Sequence, residues 1–202
     1  MKMGYGRLIE DNLRKAFAEN SNRGVAKKLG GEEGDSGVGL WAFGKRYLIS
    51  PGALSADGTS ADDPEAVVVS LYAACADVDP LIEEPFKSFK DLPNSMPYHG
   101  AFAANVERIL VPYVERFKGR SEQIALKFRG RVEERGASGD FSILLYPLPK
   151  VCLRYVFYLP DEEFSASAIC LFSSNVLSFL PLDGAADTAE YTSRAIIRLC
   201  SS

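Results

Sequence analysis

Histidine is almost missing from this chain: His99 is the only one in 202 residues, so little imidazole chemistry is available. Cysteine is sparse and scattered. Cys75, Cys152, Cys170 and Cys200 form no CxxC pair, whereas structural zinc and iron–sulfur sites draw their ligands from closely spaced residues. The four read as reduced, buried thiols of a cytoplasmic protein, and no metal site is expected. Long apolar runs are lacking too: residues 142–159 are broken by Pro147, Pro149, Lys150 and Arg154, short of the roughly 20 residues a spanning helix needs. The first seven residues lead into an amphipathic pattern rather than a signal core, so no secretion or membrane association is expected. Charge of one sign does not dominate. With 23 basic and 27 acidic side chains the net charge is -4, which argues against a nucleic-acid partner.

A phosphate loop is absent as well. Residues 22–37 carry Gly24, Gly30, Gly31, Gly34 and Gly37 among charges, but no lysine followed by Ser or Thr, and they precede a strand pattern rather than a helix. Their composition predicts a mobile surface loop.

What is present is an ordinary mixture, 47% hydrophobic and 25% charged, enough for one globular domain over residues 1–202. Leu8, Ile9, Leu13, Ala16 and Phe17 recur at helical spacing, which predicts an amphipathic first helix. Residues 38–49 alternate on either side of Gly44-Lys45 and predict a β-hairpin. Asp63-Pro64 supplies a cap and a first helical residue for a largely buried helix through Ala76, carrying Cys75 inside. Residues 86–92 read as a short strand or extended segment. Residues 100–117 show a long helical pattern kinked at Pro112, and Ser121-Glu122-Gln123 opens a further helix whose other side carries Lys127, Arg129, Arg131 and Arg135. Two strongly β-prone runs, 141–148 and 151–159, flank Tyr146-Pro147-Leu148-Pro149-Lys150, a rigid, edge-like connection that cannot be an Asn-Gly hairpin. A strand at 167–172, a short helix or turn at 175–180 and a closing helix at 187–199 complete the pattern. The class is α+β: an antiparallel β-sheet with helices packed mainly on one face.

Candidate chemistry gathers around a few residues. On the strand 151–159, Leu153, Tyr155 and Phe157 share one face, while Cys152, Arg154, Val156 and Tyr158 share the other. Arg154 in such an apolar run calls for a carboxylate, with Asp140, Asp161, Glu162 or Glu163 as candidates, or else it clamps an anionic ligand. Asp161-Glu162-Glu163-Phe164 follows Pro160 as a turn: Asp161 accepts turn amides and Phe164 returns to the core. No Asp-x-Asp-x-Asp-Gly loop accompanies these carboxylates, so they are not assigned to a cation. His99, after Pro97-Tyr98 at a helix start, is a capping or solvent-facing imidazole, and the only one able to ligate a haem-like or corrinoid group.

Phe89-Lys90-Asp91-Leu92-Pro93 with Tyr98 and Phe102, then Gly139-Asp140-Phe141, Pro147-Leu148-Pro149, Asp161-Glu162-Glu163-Phe164 and Leu171-Phe172, resembles the uncharacterised domain-of-unknown-function 3786 family of mostly anaerobic bacteria and archaea. The resemblance covers about residues 67–182. The chain departs from the family pattern at Ser173, where an aspartate is expected, and around Tyr158-Leu159-Pro160. Relatives fused to a cysteine-rich iron–sulfur segment imply a link to anaerobic redox or corrinoid metabolism; no such segment occurs in these 202 residues. The resemblance implies a compact domain and names no activity or cofactor.

Three functional readings stay open. The leading one is a cytoplasmic binding or accessory domain, holding a small molecule or cofactor among Trp41, Phe43, Tyr98, Tyr155 and Arg154. An enzyme would instead draw its acid and base from Asp140, Arg154, Asp161, Glu162 and Glu163 at one sheet edge. A protein-partner module, or a homodimer formed through a sheet edge, is the third.

Overall fold

Local signals account for the first elements of the computed structural model, which describes residues 4–133 and 139–201. Helix α1 (Gly6–Phe17) buries Ile9, Leu13 and Ala16, the expected stripe, although Leu8 is left exposed. Residues 22–37 are not a loop. Ser21 caps helix α2 (Asn22–Leu29) by accepting the Gly24 N–H, Val25, Ala26 and Leu29 are buried, and Gly30 ends the helix at φ 69. The glycines that suggested mobility are a helix stop and close contacts in the following strand: a Cβ on Gly31 would lie 2.7 Å from the Gly39 carbonyl oxygen.

A five-stranded antiparallel meander follows: β1 (Glu32–Gly34), β2 (Gly37–Ala42), β3 (Lys45–Ser50), β4 (Ala53–Ala56) and β5 (Thr59–Ser60), in that order. The expected hairpin is β2–β3. Its turn places Phe43 and Gly44 at φ 48 and 70, a conformation that normally selects Asn-Gly. Phe43 tolerates it because its ring is buried and its N–H donates to the Pro147 carbonyl at 2.8 Å, joining this sheet to the second. Helix α3 (Pro64–Cys75) begins as predicted, with Asp63 accepting the Ala66 N–H at 2.8 Å. Cys75, expected inside, is exposed at its last turn.

The remaining strands form a separate sheet. The α+β class holds, but the hairpin and the later strands build two antiparallel sheets rather than one. The second runs β6 (Lys87–Ser88), β10 (Ser167–Phe172), β9 (Val151–Tyr158), β8 (Phe141–Leu148), β7 (Arg131–Glu133). Arg131 and Glu133 therefore belong to an edge strand, not to a basic helix face; Arg135 lies outside the described residues. Residues 86–92 contribute only β6 and a 3-10 turn. The Pro149-Lys150 link joins two inner strands, with Leu148 paired to Val151. An irregularity between Leu145 and Leu148 accommodates Pro147, which has no ladder donor.

Register confirms the two faces of β9. Ile143, Tyr155 and Cys170 lie abreast, as do Leu145, Leu153 and Phe172, and all six are buried. Against this inner face pack the segment from α4 (His99–Phe102) through helix α5 (Val114–Lys127) and the long closing helix α6 (Leu182–Ser201). Pro112 does not kink one long helix. A π-helical turn (Ala103–Glu107) and a 3-10 stretch (Arg108–Tyr113) stand between α4 and α5, and α5 passes through Ser121 without restarting. The Tyr155 hydroxyl ties the inner face to α6, 3.1 Å from the Ala189 carbonyl and 3.0 Å from Ser193 Oγ.

The outer face is crossed by residues 77–86. Lys150 Nζ donates to the carbonyls of Asp77, Val78 and Asp79, and the Asn175 side chain bonds both the Ile82 N–H and the Pro80 carbonyl. This strap makes Arg154 a covered residue, and no helix among the described residues is long and apolar enough to cross a membrane.

Candidate functional site

The expected site residues do not converge. Arg154, 12% exposed, holds Glu133 through two hydrogen bonds of 2.7 and 2.8 Å, lies 3.6 Å from Glu84, and stacks over the Phe86 ring at 4.5 Å. Ser142 donates to the same Glu133 carboxylate. Next to it Arg131 binds Glu83 and the Tyr146 hydroxyl, which in turn donates to Glu83. Burial pushes the Glu133 carboxyl up, but the hydrogen bonds from Arg154 and Ser142 outweigh it and hold the group below the usual range. Beneath this network, burial pushes the Cys152 thiol up to about 12, which makes it a poor nucleophile. The carboxylates chosen from sequence serve elsewhere. Asp140 accepts the Leu159 N–H at 2.7 Å, and Asp161 accepts the Glu163 and Phe164 amides as the turn pattern predicts. Glu162 and Glu163 are exposed, and Phe164 is 69% exposed instead of returning to the core. Trp41 is elsewhere again, on β2 beneath the Arg129 guanidinium, 4.6 Å from its ring centre.

The other family-like segment builds a cavity. The 3-10 turn at Phe89–Asp91 and α4 bring Phe89 and Phe102 into parallel stacking, ring centres 4.2 Å apart, with Phe172 of β10 tilted against both at 6.2 and 5.7 Å. Asn94, at φ 64, turns the chain back over this cluster, and Pro97 and Tyr98 form a rim in which Tyr98 is 60% exposed. Facing the rim is the first half of α6. Leu182 and Ala186 line the cleft, and Asp183, Asp187 and Glu190, spaced i, i+4, i+7, present carboxylates to it. The cavity volume is about 830 Å³, within the range of small-molecule sites. The π-helical turn contributes Asn105 and Val106; such turns recur at functional sites because they offset the helical register.

The electrostatics of the cleft are one-sided. Glu190 pairs with Arg194 at 2.8 Å, while Asp183 and Asp187 have no cationic partner among the described residues. Burial, then the charges of Glu190 and Asp183, push the Asp187 carboxyl above its ordinary value. Burial and the charges of Asp187 and Glu190 likewise push the neighbouring Tyr191 phenol up to about 12. Close to the rim, burial pushes the Glu107 carboxyl up, opposed by the Cys170 N–H it accepts at 3.1 Å and by His99. His99 itself is exposed at the start of α4, and no cluster of three or more His, Cys, Asp or Glu among the described residues is arranged to hold a metal ion.

Sequence reasoning selected Tyr98 and missed the acidic wall. Its closing helix began at Asp187, so Asp183 fell outside it, whereas α6 starts at Leu182 and puts both on one face. Counting back from Tyr191 in steps of four reaches Asp187 and then Asp183.

No curated protein and no solved structure matches the chain. A family model does, from residue 10 in α1 to residue 195 in α6, which takes in both sheets and the cleft between the aromatic turn and α6. The chain therefore belongs to the domain-of-unknown-function family DUF3786.

Proposed function

We propose that this protein is a binding domain, and that the cleft between the Phe89–Phe102 turn and α6 takes a small organic cation, an amine or amidine on an apolar body. One observation carries this reading: an aromatic, apolar wall faces a wall with two carboxylates that lack cationic partners among the described residues. The apolar body has Leu182, Ala186 and the Tyr98 ring to lie against, and the cation would offset the burial and the neighbouring charges that raise the Asp187 carboxyl. Asn94 and Asn105 supply the neutral hydrogen-bonding groups that orient a ligand in such sites.

A panel of arylalkylamines and benzamidines, titrated while amide chemical shifts are followed, tests it. Saturable shifts confined to residues 94–106 and 182–190 are expected, with Asp187→Asn weakening binding about tenfold. Affinity should also fall as pH drops through the raised Asp187 value, because the protonated carboxyl no longer attracts a cation. Shifts from neutral analogues of equal size, unchanged by Asp187→Asn, would remove the cationic requirement.

A further inference from the structure

At the opposite end of α6 lies a second concavity of different chemistry, with a volume of about 590 Å³ between α5, the last turns of α6 and the β2–β3 turn. We propose that it is an anion site for a small phosphorylated molecule. Four cationic side chains, Lys45, Arg120, Lys127 and Arg198, line it with one carboxylate, Glu65. With Lys45 and Arg198 set against Glu65, Arg120 and Lys127 still lack an ion-pair partner among the described residues, in a chain whose net charge is -4.

The cations come from three separate elements, so helix-end electrostatics does not account for them together. Lys127 and Arg198 stand in the last turns of α5 and α6, where a positive charge suits the dipole. Lys45 comes from the hairpin and Arg120 from the middle of α5. Glu65 holds Lys45 at 2.5 Å and Arg198 at 3.2 Å, and Arg120 directs one N–H to the Leu199 carbonyl at 2.6 Å. The Lys127 ammonium makes no hydrogen bond or ion pair among the described residues, and its stem packs on the β2–β3 turn. It lies against Gly44, where a Cβ would come within 2.5 Å of Lys127 Cε.

Donors approaching from three sides suit the tetrahedral oxygens of a phosphate dianion better than a planar carboxylate. The volume exceeds that of the phosphate alone, and Ala195 and Leu199 offer an apolar surface to the rest of the molecule.

The test uses the full chain with inorganic pyrophosphate as probe, followed by calorimetry and by amide shifts. Saturable binding is expected, with shifts centred on Gly44 and Gln123 and affinity that weakens as ionic strength rises. Lys127→Gln should weaken it about tenfold, Arg120→Gln should repeat the loss from another wall, and Lys90→Gln, an exposed lysine outside the concavity, should leave it unchanged. The proposal is overturned by an absence of saturation or by equal affinity in Lys127→Gln. It is also overturned if only vesicles containing phosphatidic acid are bound, which would assign the same chemistry to a lipid headgroup.

Discussion

Arg154 shows how a single charged side chain can be legible in sequence and still be misassigned in its partner. A guanidinium in an apolar strand must find an anion, and it does, but the anion is Glu133 on β7, outside the set considered from sequence. Arg154→Met should destabilise the protein by about 1.5–3 kcal/mol at pH 7, measured by urea unfolding, because Glu133 loses its charged donors. Glu133 titrates below its ordinary value of 4.5 in the folded protein, so its stabilisation is present above that value and disappears as pH falls through the folded one. The wild-type advantage should therefore shrink in acid; an equal difference at pH 7 and pH 3 would sink the ion-pair explanation. Asp187 behaves with the opposite sign. Its folded value is raised, so ionisation disfavours the folded state as pH climbs from the unfolded value of 3.8 through the folded one. Asp187→Asn should stabilise the ligand-free protein by about 0.2–0.5 kcal/mol at neutral pH, the scale of a like-charge i,i+4 pair, and by nothing in acid.

Among the elements, α3 and the runs that become β8, β9 and β10 form where residue type predicts them, whereas residues 22–29 and 53–60 fold into α2 and into β4 and β5 against a loop-like composition. Asp63-Pro64 starts α3 wherever the rest of the chain goes, since a cap and a fixed φ act within one turn. Strands β4 and β5 lie between the predicted hairpin and the Asp63-Pro64 cap, in a stretch rich in Ser, Gly, Asp and Ala, and Asp57-Gly58, at φ 47 and 81, is the hairpin sign within it. Both are short and, Leu54 apart, half-exposed or exposed, and only the pairing of β4 to β3 and of β5 to β4 makes them strands. The β2–β3 turn gives an element-level test. Gly44→Ala should cost more than 1 kcal/mol in thermal or urea unfolding, because φ 70 strains alanine and its Cβ would meet the Lys127 stem. The junction between the second sheet and α6 gives another: Tyr155→Phe should cost about 1–2 kcal/mol, since the buried Ser193 hydroxyl loses its partner.

At the scale of the molecule, the α+β class, the buried inner face of β9, the Asp161 turn and the need to pair Arg154 were all written in residue type and spacing. Such features depend on periods of two or 3.6 residues and on capping groups that act locally. The division of the strands into two sheets, the choice of Glu133, and the meeting of Phe89, Phe102 and Phe172 with Asp183 and Asp187 were decided by the tertiary structure alone. Phe89 and Asp187 are joined only because α6 returns along the inner face of the second sheet, and the basic concavity exists only because the same helix ends beside the β2–β3 turn. Alternation within a strand records which face is buried, but not which distant segment covers it; that is settled by how the two sheets and α6 exclude water together.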